Sequence, residues 1–88
     1  MFDPHGRYRL SERVGLRPEP FGALAYHFDT RRLVFLKSRD LVDLVHALAA
    51  HPTADDAIDS VVAPAPERRA AYVTALASLH EAGVVEAA

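Results

Sequence analysis

The stretch Arg31-Arg32-Leu33-Val34-Phe35-Leu36-Lys37 limits what this chain can become more than any other. Its branched and aromatic residues favour a strand, and seven residues at about 3.3 Å each reach about 23 Å. Alternation sends Leu33 and Phe35 to one face and Val34 and Leu36 to the other, so both faces are apolar. A small sheet tolerates such a strand only where a second layer covers one face and something shields or pairs with its edge. Basic residues close the stretch at each end, as guards against indiscriminate pairing.

The preceding residues supply partners for it. Arg13-Val14-Gly15-Leu16-Arg17 alternates polar and apolar, the pattern of a short half-buried strand, after which Pro18 and Pro20 are expected to stop regular pairing. Ala23 to Phe28 forms a second strand, and Asp29-Thr30 makes a reverse turn into the third. Short links between three strands predict an antiparallel β-meander with the second strand central and Arg31–Lys37 at an edge. Residues 1–12, with Asp3-Pro4, Gly6 and few apolar anchors, read as a loose N-terminal arm. Residues 13–88 then form a single domain.

Three helices follow. Ser38 suits an N-cap with Asp40 in the first turn, and Leu41, Val42, Leu44, Val45 and Leu48 recur at helical spacing until His51-Pro52. Thr53 opens the second helix, with Ala57, Ile58, Val61 and Val62 on its buried side. Pro66 and Glu67 start a third that runs to about Ala82, with Gly83 as its terminator and Val84-Val85 folding back on the core. The fold class expected is α+β, a three-stranded meander followed by three helices in a winged-helix-like arrangement, with the sheet first.

The chain has 88 residues, enough for one domain with a modest core. It has no cysteine, which excludes disulfides, thiolate-ligated zinc and a cysteine nucleophile. No apolar run approaches the ~18–20 residues of a membrane span, and the start lacks a signal-peptide core, so a cytoplasmic location is expected. The net charge of −2 is unevenly distributed: residues 1–39 carry +4 and residues 40–88 carry −6. A basic strand-rich half favours acidic partners, although charges on small sheets commonly serve only to solvate an edge.

Catalytic patterns do not appear. The five histidines never pair at i,i+4, Asp55-Asp56 reads as a helix start, and the serines sit in no G-x-S-x-G elbow. The chain is therefore expected to be no enzyme and to hold neither cofactor nor metal. As a helix-turn-helix DNA-binding domain it would read bases with residues 66–82. That helix offers Arg68 and Arg69 and then mostly alanine, in an acidic half, where phosphate binding requires a basic face. Peptide binding fits better, because an open edge strand accepts an extended segment as an added strand. The candidate contacts are Arg32, Leu33, Val34, Phe35, Leu36 and Lys37 on the strand, with Arg69, Tyr72, Val73 and Leu76 on the third helix. Core packing accounts for Tyr72, Val73 and Leu76 at least as well. Proline at Val34 would test strand addition if that N–H faces outward. A third reading is a homodimer in which the edge pairs with its own copy.

The blocks RVGLRPEPFGALAYHF (13–28) and RRLVFLKS (31–38) resemble the MftB family of mycofactocin-system peptide chaperones. These are relatives of the pyrroloquinoline-quinone chaperone PqqD within the RiPP recognition elements, and the similarity covers roughly residues 2–85. The resemblance implies a non-catalytic element that holds the leader of a precursor peptide between the third strand and third helix. It implies as partners the mycofactocin precursor peptide and the radical S-adenosylmethionine (radical SAM) maturase MftC, which would supply the clusters and the chemistry. No nucleic acid or membrane partner is implied.

Overall fold

Residues 13–37 form the antiparallel meander that their alternation predicts. In a computed structural model describing residues 1–88, β2 (Val14–Glu19), β3 (Gly22–His27) and β4 (Leu33–Leu36) lie in the order β2-β3-β4. The central strand is β3, and β4 is an edge. Strand β2 runs through Pro18 instead of stopping before it. Phe28 N–H donates to the Arg13 carbonyl, and the alternation that follows places Pro18 where a strand needs no bond to β3. The turn therefore falls at Pro20-Phe21. Gly22 then takes a φ of +151°, and a Cβ there would run into the Leu36 carbonyl oxygen, so only glycine permits β3 and β4 to approach at this end.

Helix α1 (Arg39–Ala47) lies directly on the inner face of the sheet against β3 and β4, with α2 (Ala54–Val62) packed on α1 and α3 (Arg69–Glu81) on α2. Both predicted side-chain caps form: Ser38 Oγ accepts from Leu41 N–H at 3.1 Å, and Thr53 Oγ1 from Asp56 N–H at 3.1 Å. Helix α1 tightens into a 3₁₀ turn over Leu48–Ala50, and another at Pro66–Arg68 leads into α3. At the far end of α3, Gly83 adopts φ +81°. Its N–H donates to the His80 carbonyl, and that of Val84 to Leu79, which satisfies two of the last-turn carbonyls in a Schellman arrangement. Leu36, Leu44, Leu48, Ile58 and Leu76 are fully buried and join sheet to helices.

Residues 1–12 do not form the loose arm expected of them. Tyr8–Leu10 is a strand, β1, paired antiparallel with a C-terminal strand β5 (Val85–Ala87), so Tyr8 faces Ala87 and Leu10 faces Val85. The Tyr8 ring is buried against Phe2, with centroids 4.8 Å apart, and meets His80 edge-on at 5.4 Å. The carbonyls of Pro4 and Gly6 accept from Asp55 and Ala54 N–H, each at 2.9 Å. Those are donors in the first turn of α2 that no intrahelical carbonyl can reach, so the segment completes the helix. The composition of 1–12 concealed this because the anchoring is mostly backbone bonding and a single tyrosine.

Removing the side chain of Leu36, which is 0% exposed, leaves a cavity between β4 and the helices. Leu36→Ala is expected to lower the unfolding free energy by about 2–5 kcal/mol. Leu33→Ala, on the opposite face of the same strand, should change it by no more than about 0.5 kcal/mol. Chemical denaturation of the two variants checks the difference.

Candidate functional site

The register of the sheet decides which backbone groups β4 leaves open. His27 N–H donates to the Arg32 carbonyl at 3.0 Å, and Ala25 and Ala23 stand opposite Val34 and Leu36. Hydrogen-bonding direction alternates along an antiparallel strand, so Val34 and Leu36 turn their N–H and C=O toward β3. Leu33 and Phe35 turn theirs toward the free edge. The Val34 N–H thus faces inward, and a proline probe of the edge belongs at Phe35.

The loop feeding β4 is built around His27. Its Nδ1 accepts from the N–H groups of Asp29 and Thr30 at 3.2 and 3.3 Å, while Arg31 takes φ 60° and donates its N–H to the His27 carbonyl. From β2, the Arg13 guanidinium grips Asp29 through both terminal oxygens, with Nε 3.0 Å from Oδ2. That hydrogen-bonded fork, with the charge of Arg13 behind it, holds the Asp29 carboxyl below its ordinary range.

Beyond the free edge lies an open groove of about 450 Å³. Arg32, Leu33, Val34, Phe35 and Lys37 form one wall, and Ser78, Leu79, Glu81 and Ala82, at the C-terminal end of α3, form the other. Helix α3 packs on α2 and β5 and barely touches β4, which is why the gap exists. Five of the ten sequence candidates therefore line the groove. Leu36, Tyr72 and Leu76 point into the core. Val73 lies on the flank of α3 that carries Ala77 and His80 and faces Phe2, away from the groove. Arg69 is turned to α2, where it pairs with Asp55 and Asp59. Arg68 pairs with Asp40 and lies over the Tyr72 ring. Ser78, Leu79, Glu81 and Ala82 are not among the residues that the sequence singles out. Helical spacing would have placed Ser78 and Ala82 on one flank of the buried Tyr72–Leu76–Leu79 stripe, but nothing in the sequence says which flank meets the strand.

Charge is sorted around this groove. Among the lysines and arginines, Arg9, Arg13, Arg17, Arg68 and Arg69 have carboxylate partners, and Arg7 donates to the Ala49 carbonyl. Arg31, Arg32, Lys37 and Arg39 have none. All four stand at the two ends of β4. The outer face of the sheet is apolar and uncovered: Leu33 and Phe35 are 56% and 58% exposed, beside Phe21, Tyr26 and Phe28. Phe21 meets Phe35 edge-on at 5.8 Å.

The Peptide chaperone MftB family matches residues 7–86, nearly the whole chain. The chain belongs to that family. It is similar to the peptide chaperone MftB of Mycolicibacterium smegmatis, 45% identical over 84 residues that make up 96% of this chain and 81% of the relative. The peptide chaperones MftB of Mycobacterium ulcerans and Mycobacterium tuberculosis are 57% and 55% identical over 51 residues, 58% of this chain and 47% of each relative. No solved structure matches it. No helix is long and apolar enough to cross a membrane.

The Arg13–Asp29 fork makes the loop before β4 sensitive to acid. A carboxyl whose folded pKa lies below its unfolded value stabilises the fold above the unfolded pKa, and that contribution disappears as pH falls through the folded one. In an NMR titration, Asp29 is expected to protonate at lower pH than a free aspartate, and amides 29–32 to exchange faster once it does. Arg13→Gln should return Asp29 to the ordinary range. An unshifted Asp29 in the parent protein would contradict the clamp.

Proposed function

We propose that this chain is a non-catalytic peptide chaperone that binds the leader of the mycofactocin precursor peptide as an added strand on β4 and presents it to a radical S-adenosylmethionine maturase. The observation that carries the reading is the pair of outward backbone positions, Leu33 and Phe35, opening onto a groove whose far wall is α3. Their two N–H and two C=O groups form a ready ladder. Each bond contributes about 0.5–1.5 kcal/mol net, and side chains of the visitor add burial in the groove. Holding the leader this way fixes one part of the precursor and leaves the rest of it free for an enzyme. The iron–sulfur and radical chemistry would belong to that enzyme.

The other readings have less in their favour. In a DNA-binding domain, the first turn of α3 would meet phosphates, yet Arg68 and Arg69 are already held by Asp40, Asp55 and Asp59. For self-pairing, the register that lets Leu33 of one copy bond Phe35 of the other sets Arg31 directly against Lys37 at both ends. Like charges directly opposite one another destabilise a strand pair.

Titration of the isotope-labelled protein with the precursor peptide should move the amides of Leu33 and Phe35 and of residues 78–82 most. Phe35→Pro removes an outward N–H and is expected to weaken binding by about tenfold or more while the fold persists. Shifts concentrated on α2, or an unchanged affinity in a folded Phe35→Pro variant, would overturn strand addition.

A further inference from the structure

The unpartnered cations at the ends of β4 point to the kind of segment that the groove takes. Arg32 and Lys37 both line it, both are exposed, and no carboxylate lies within ion-pair distance of either. They stand five residues apart on one strand, about 17 Å. Arg31 and Arg39 lie just beyond them and add positive charge outside each end. Elsewhere on the surface, arginines from Arg9 to Arg69 have found acids within the chain. Between the two brackets the wall is apolar, with Leu33, Val34 and Phe35 on the strand and Leu79 and Ala82 on the helix. One acid is present, Glu81, on the α3 wall, and it too has no ion-pair partner.

Resting on the strand-addition reading above, we infer that the groove selects an extended peptide segment with carboxylates five positions apart and no acid between them. Residues directly opposite one another in paired strands share a face. One carboxylate therefore sits opposite Arg32 and the other opposite Lys37, whichever way the segment runs. Two positions between them lie beside Leu33 and Phe35 and continue the outer apolar face, so they are apolar. Two others turn inward over Leu79 and Ala82 and are apolar or small. An acid placed in the middle would meet only the apolar wall and no cation, which fixes the register of the brackets and not merely the sign of the ligand. The same charges disfavour a second copy of the chain at this edge, because Arg31 and Lys37 would then face each other.

The probes are three synthetic peptides of equal length and identical apolar residues: one with glutamates at the bracket positions, one with lysines there, and one with both glutamates moved to the centre. Calorimetry should find the glutamate-bracketed peptide bound about tenfold more tightly than either other, the scale of two solvent-facing ion pairs across a strand pair. That advantage should shrink as salt rises. The double variant Arg32→Glu, Lys37→Glu should reverse the preference toward the lysine-bracketed peptide. Both substitutions are at exposed positions, and circular dichroism verifies that the variant is folded. Equal affinities, a ranking unmoved in the double variant, or no binding by any of the peptides overturns the inference. Amide shifts at Leu33 and Phe35 separate it from the reading beneath it. If every peptide moves them equally and binds equally, strand addition stands and charge selection falls. If bound peptides leave them unmoved, both fall.

Discussion

The register of β3 against its neighbours is the constraint on which the rest of the structure depends. Once His27 donates to Arg32, every alternate residue of β4 is committed: Val34 and Leu36 give their backbone groups to β3 and their side chains to the helical layer. Leu33 and Phe35 are left with backbone groups at an open edge and side chains on an open face. Slipping the pairing by one residue would exchange these roles and expose Leu36. Gly22 holds one end of this pairing by allowing a close approach that any Cβ would block, and the His27-centred loop holds the other.

The helices explain why the edge stays open. Helix α3 is fastened at its start by Arg69 to α2 and at its end by the Schellman turn that leads into β5. Those attachments set its distance from β4 independently of any contact with β4, so a groove remains between them. The β1–β5 pair brings both chain ends to the side of the molecule where Tyr8, Phe2 and His80 pack together. Neither end lies in the groove.

Local patterns made much of this legible. The caps at Ser38 and Thr53, the terminating Gly83 and the period-two alternation of three strands are physics of a few adjacent residues, and they fold as read. The N-terminal segment and Pro18 depart from their local pattern for one shared reason. Both are held by backbone groups whose partners lie elsewhere, on β5 and α2 for the arm and on β3 for the strand around Pro18. Side-chain composition carries little record of such bonds.

What the sequence determined by itself was the presence of a strand apolar on both faces, its position at the edge of a meander, and a stripe of helical residues to cover one side. These follow from periodicity and from short links between strands, which leave little choice of topology. Only the tertiary structure decided which face is covered, which N–H groups look outward and which flank of α3 stands across the gap. Those depend on hydrogen-bond register and on the rotation of a helix about its axis. The contacts that set both, His27 to Arg32 across the hairpin and Arg69 to α2 in the helical layer, are not written in the pattern of apolar residues that lines the groove.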